Sequence, residues 1–127
     1  MPQVAGHGVR SWITRGANFA VVCCAGEAGA ALSGTAEDEQ FIYALEGGVR
    51  ALAAGDSALL EAEDLAILPP GEWRLQFERA GEIVQLISAG EDLARRASNA
   101  ALYADGAPEV ARAEPWPEPV GGYRLRC

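Results

Sequence analysis

Few side chains in this chain could do chemistry. There is one histidine, His7, and there are three cysteines, Cys23, Cys24 and Cys127. A thiol becomes a nucleophile only beside a base or with a lowered pKa, and no base lies near Cys23 or Cys24 in the sequence. These two are adjacent, so on a strand they point to opposite faces and are poorly placed to bridge each other. Reduced thiols with a buried structural role are the expectation. The acidic stretch Glu61, Glu63 and Asp64 reads as a solvated turn rather than a cation site. Zinc-finger spacing, a phosphate-cradling glycine loop and a Gly-x-Ser-x-Gly elbow are all missing. The cations left are the ten arginines, Arg74 among them, and a guanidinium presents a planar fork of donors that suits a carboxylate or phosphate. No catalytic residue is assigned.

The elements that must position Arg74 read as short strands. Residues 40–46, QFIYALE, put Phe41, Tyr43 and Leu45 on one face and Gln40, Ile42, Ala44 and Glu46 on the other. Alternation of β-branched and aromatic residues argues for a strand over a helix. Gly47-Gly48 suits a two-residue hairpin turn into a return strand over residues 49–53. Ala54-Gly55-Asp56 is a second turn, and strands follow near Ala58–Ala62 and at Leu65–Leu68. Pro69-Pro70-Gly71 ends the last of these, since proline cannot donate to a ladder. Residues 73–78 alternate most cleanly, with Trp73, Leu75 and Phe77 on one face and Arg74, Gln76 and Glu78 on the other.

The flanks are simpler. Residues 1–8 read as a loose lead-in, residues 9–14 as an edge strand anchored by Trp12, and residues 18–25 as a firmer strand. Residues 26–35 are small and glycine-rich and read as a loop. Residues 82–89 form a return strand. Residues 91–104 are the one helical stretch, with Leu93, Ala97, Ala101 and Leu102 as its apolar stripe. A proline-rich tail follows, with Trp116 expected to dock on an outer sheet face. One domain is expected, with a barrel over residues 1–90 and the helix and tail over 91–127 packed on it. The strand pattern makes the chain all-β.

EQFIYALEGG, a spacer, and then EDLAILPPGEWR resemble the two sequence motifs of the cupin superfamily, over roughly residues 17 to 89. The resemblance implies a jelly-roll barrel. The helix with Asn99 and Tyr103, followed by WPEPVGGYRLR, is faintly similar to the region joining the two halves of two-cupin proteins. The family's metal ligands fall, by spacing, on Gly34 and Ala36 (or Ser33 and Thr35), Gln40 and Arg74. Glycine, alanine and a guanidinium do not bind divalent metals, so no metal and no cofactor are expected. If Gln40 and Arg74 point inward as those positions imply, Gln40, Arg74 and Gln76 converge at the barrel mouth as a binding site.

With 18 acidic against 10 basic residues, the net charge is −8. That excludes binding to a nucleic-acid backbone, which needs a positive surface. No apolar run approaches the ~20 residues needed to cross a bilayer, and no signal peptide is evident, so a cytoplasmic location is expected. The sequence thus points to a metal-free binding or accessory module for a small anionic organic ligand. A metal-independent isomerase or epimerase and a purely structural dimerisation module are the alternatives. Strands apolar on both faces need cover on both, which makes a homodimer the expected assembly.

Overall fold

The computed structural model describes residues 4–88 and 90–106. Ten strands form two antiparallel sheets. The larger runs in the order β1 (Val4–Gly6), β2 (Val9–Arg15), β3 (Phe19–Gly26), β10 (Gly81–Ser88), β5 (Gln40–Glu46) and β8 (Leu65–Leu68). The smaller runs β4 (Ala31–Ala36), β9 (Gly71–Phe77), β6 (Val49–Ala53) and β7 (Asp56–Leu60). The non-consecutive neighbours β3–β10, β10–β5, β5–β8, β4–β9 and β9–β6 mark a jelly-roll path, and the all-β expectation holds.

The core lies between the sheets. Strand alternation sends Val9 and Ile13, Ala20, Val22 and Cys24, Ile42 and Ala44, and Ile83 inward from the larger sheet. Val49, Ala51, Leu60, Leu75 and Phe77 meet them from the smaller one. The sheets meet where the Phe77 ring lies on the backbone of Gly26. A Cβ added at Gly26 would sit 2.5 Å from that ring, closer than any real contact, so only glycine allows the approach.

Several local readings are corrected. Gly47-Gly48 is not a hairpin turn: β5 pairs with β10 and β8, while β6 pairs with β7 and β9. The pair instead carries the chain from one sheet to the other. Gly48 has φ 88, and a Cβ on Gly47 would meet the backbone of Glu61 and Ala62 at 2.5 Å. The positive φ and the close approach both look like a hairpin in sequence. Pro69-Pro70-Gly71 makes another crossing, from β8 to β9.

The glycine-rich stretch expected to be a loop contains β4, whose ladder with β9 runs from Ala31–Gln76 to Ala36–Gly71. Backbone pairing holds these small residues, which have little propensity of their own. The lead-in contains β1, which pairs with β2 and takes the sheet edge from it. In β2 the inward residues are Val9 and Ile13, and Trp12 stands on the other face with Arg10 5.8 Å over its ring.

The expected single helix is two pieces, α1 (Glu91–Arg96) and the 3₁₀ turn η1 (Ala100–Tyr103). The break has a cause. The Ser98 N–H donates to the Ile13 carbonyl at 2.8 Å. The Asn99 amide then closes on Arg15, accepting from its N–H at 3.0 Å and donating to its carbonyl at 2.9 Å. Residues 98 and 99 therefore complete the end of β2 that β1, paired only with residues 9–11, leaves open, instead of continuing the helix. Ala97 is buried and Leu93 packs on the core, but Leu102, expected in the apolar stripe, is 69% exposed. Arg15 also lies 4.4 Å from the Tyr103 ring. Trp116 and the proline-rich tail lie outside the described residues. No helix among the described residues is long and apolar enough to cross a membrane.

Asn99→Ala is expected to cost about 1–3 kcal/mol, because it leaves two edge groups of β2 without partners. Leu102→Ala should be nearly neutral, and urea unfolding of the two variants against wild type makes the comparison.

Candidate functional site

β5 starts inside the barrel, so the first of its inward residues is Gln40, which is 0% exposed. Gln85, inward on β10 and also buried, donates its Nε2 hydrogen to Gln40 Oε1. Gln40 Nε2 is buried with no hydrogen-bond partner, as is Trp73 Nε1. A second buried polar pair lies across β2 and β3, with Ser11 Oγ 3.3 Å from Cys24 Sγ. Burial pushes the Cys24 thiol above its ordinary pKa; the Ser11 hydrogen bond works against this and the nearby Cys23 adds slightly to it. Cys24 is therefore a structural thiol. Cys23 faces the other way and is exposed, which corrects the buried role expected for both.

Arg74 does not point into the barrel. Leu75 and Phe77 take the inward positions of β9, so Arg74 is exposed and Gln76 half-buried on the opposite face. The three residues expected to converge are thus divided: Gln40 lies in the interior, and Arg74 and Gln76 lie outside it. In register, Gln76 stands opposite Arg50, whose Nε is 2.6 Å from Glu78 Oε1. The error came from carrying an inward position over by spacing. The face was readable from the residues themselves, since Trp73, Leu75 and Phe77 are the largest apolar set in the run and had to fill the core.

A recess of about 940 Å³ opens at the turn end of the smaller sheet. Two neighbouring cross-strand rows line it: Gly34, Trp73, Ala53 and Asp56, and Ser33, Arg74, Leu52 and Ser57. The tight turn Ala54-Gly55, with φ of 51 and 83, closes one side. Trp73 lies over Gly34, where an added Cβ would come within 2.9 Å of the indole. Among the described residues Arg74 makes no ion pair, whereas Arg50, Arg79 and Arg96 each hold a carboxylate. The recess therefore offers a guanidinium fork, the hydroxyls of Ser33 and Ser57, and an aromatic wall. Sequence reasoning found Arg74 but missed its neighbours, because the register of β4, β6 and β7 brings them together.

The residues at the positions where the resemblance would place a metal do not fit one. Ala36 and Gly34 have no donor atoms in their side chains, Gln40 shares its oxygen with Gln85, and Arg74 faces away. The described residues contain no group of three or more His, Cys, Asp or Glu that could hold a metal ion. His7 sits with φ 52 in the exposed turn between β1 and β2.

This architecture is the RmlC-like cupin fold, and the resemblance carried by EQFIYALEGG and EDLAILPPGEWR holds at the level of fold. An RmlC-like cupin from Shewanella frigidimarina superposes with a TM-score of 0.65 at 21% identity, covering 72% of this chain and 86% of that one. KdgF from Halomonas sp. matches at 0.63 and 19% identity, over 73% of this chain and 90% of that one. Salicylate 1,2-dioxygenase from Pseudoaminobacter salicylatoxidans matches at 0.59 and 15% identity, over 68% of this chain but 26% of that one. No protein-family model and no curated protein matches the sequence. Neighbours of this fold thus include enzymes as well as proteins of unknown function.

The raised Cys24 pKa gives a pH dependence. The folded state holds this proton to higher pH than the unfolded chain, so its contribution is complete below the ordinary thiol range and is lost as pH rises past about 8.5. Denaturation at pH 7 and pH 10 should show a decline in stability that is smaller in Cys24→Ala. Iodoacetamide at pH 8 should label Cys24 only on unfolding, as read by peptide mass spectrometry.

Proposed function

We propose that this protein is a small-molecule binding module that takes a small organic acid in the recess beside β9. The carrying observation is the Arg74 guanidinium, without an ion-pair partner among the described residues, in one cross-strand row with Ser33 and Ser57 in a recess that Trp73 also lines. A carboxylate accepts two parallel N–H bonds from such a fork, which fixes orientation as well as adding affinity. The Trp73 ring gives an apolar or planar acid a surface to lie on, and the hydroxyls can meet a second polar group. A concave site with a few placed polar groups is the usual form of a small-ligand pocket. In a chain of net charge −8, an anion needs a local cation to be held at all, and Arg74 supplies one.

Among the described residues the recess is lined by no histidine, and its only carboxylates are those of Asp56 and Glu72. Binding is therefore the reading the site supports ahead of isomerisation.

Titration with benzoate and with aliphatic mono- and dicarboxylates, followed by Trp73 fluorescence or amide chemical shifts, tests this reading. Saturable binding is expected in the wild type, with Arg74→Gln weakening it about tenfold or more, the usual scale for a lost charge-assisted hydrogen bond. Equal affinity in Arg74→Gln, or no saturable binding by any of these acids, overturns it.

A further inference from the structure

The recess beside β9 is not a purely cationic site. Arg74 is the guanidinium in its lining, and Asp56 and Glu72 stand there as two carboxylates. All three residues are exposed. Elsewhere on the surface acids and arginines are joined: Glu78 holds Arg50, Glu61 holds Arg79 and Asp92 holds Arg96. Asp56 and Glu72, like Arg74, make no ion pair among the described residues. The lining therefore carries one positive and two negative charges, in a chain whose net charge is −8.

The register fixes where each charge sits. Glu72 and Arg74 are two apart on β9, so they share the outer face of the smaller sheet, with Cα atoms roughly 6.6–6.8 Å apart. Ser33 and Ser57 stand in the Arg74 row, on β4 and β7, and Thr35 stands opposite Glu72. Asp56 begins β7, in the row of Trp73 and Ala53, on the far side of the recess. Both acids lie within about one Debye length of Arg74, roughly 10 Å in dilute salt. A purely anionic ligand there meets two like charges for each unlike one. A ligand that also carries an ammonium meets complementary charge at both ends.

We propose that the ligand of this recess is a zwitterion, an amino acid whose amino group stands several bonds from its carboxylate. The proposal rests on the reading of the recess as an organic-acid site and names the class of acid. Arg74 takes the carboxylate through its fork, and the Glu72 carboxylate accepts from the ammonium. The spacing of the two residues sets the ligand's length. A molecule lying along β9 must carry its charges about as far apart as the two positions, roughly 6–7 Å. An α-amino acid, with one carbon between its charged groups, is too short for that span. Asp56 draws the same ammonium toward the recess from the opposite side, and Trp73 offers an apolar surface to the carbon skeleton.

Calorimetric titration with matched pairs of ligands tests the proposal. The pairs are 4-(aminomethyl)benzoate with 4-methylbenzoate and 5-aminopentanoate with pentanoate, at pH 7, where the amines are protonated. In the wild type each amino acid is expected to bind about fivefold more tightly than its partner, the scale of one exposed ion pair. Glu72→Gln is expected to abolish that difference and to leave the plain acids bound no more weakly than before. Equal or weaker binding of the amino acids by the wild type overturns the proposal and leaves the organic-acid reading standing. So does a preference that survives in Glu72→Gln, or glycine binding as tightly as 5-aminopentanoate. Saturation by none of the four paired ligands overturns both.

Discussion

The Phe77 ring pressed on the backbone of Gly26 is the contact the rest of this structure depends on. It joins the smaller sheet to the larger at van der Waals distance and settles which way β9 faces. With Phe77 inward, the period of two puts Leu75 and Trp73 inward and Arg74 outward. The interior is thereby closed to the one guanidinium that could have entered it. The remaining polar groups inside are paired, Gln40 with Gln85 and Ser11 with Cys24, and only Gln40 Nε2 among them is left without a partner. Such an interior is built for stability, because an unpaired polar group there costs more than its hydrogen bond contributes.

The chemistry consequently moves to the rim. A recess at the end of the smaller sheet gathers Arg74, Trp73 and two serines from three strands, none of which is near the others in sequence except the first pair. Rim sites of this kind tolerate change, since their side chains do not support the core. A fold shared by proteins as different as a dioxygenase and one of unknown function is consistent with function residing in such grafted groups rather than in the barrel.

The two faces of the larger sheet serve different ends. Inward residues such as Ile42 and Ile83 build the core, while outward ones such as Phe41, Leu65 and Leu86 are apolar with nothing above them among the described residues. A sheet apolar on both sides is what parallel, fully covered sheets usually show. Here it occurs in an antiparallel barrel.

Much of the architecture was legible from the residues. The alternation of QFIYALE and of WRLQFE, the Pro-Pro-Gly corner and the absence of a ligand set of histidines are properties of neighbouring residues, and local physics determines them. What failed was whatever depended on a distant strand. Gly47-Gly48 looked like a hairpin because a crossing between sheets needs the same positive φ and the same lack of a side chain. Residues 31–36 looked like a loop because their pairing with β9 is invisible in their own composition. The helix broke at Ser98 and Asn99 because the open edge of β2 offered better partners than another helical turn. The sequence by itself determined the strand segments outside β1 and β4 and that no imidazole set is available. Only the tertiary structure decided which face of each strand is inside, and so where Arg74 could act, because a side chain's direction is fixed by the partner sheet it must pack against.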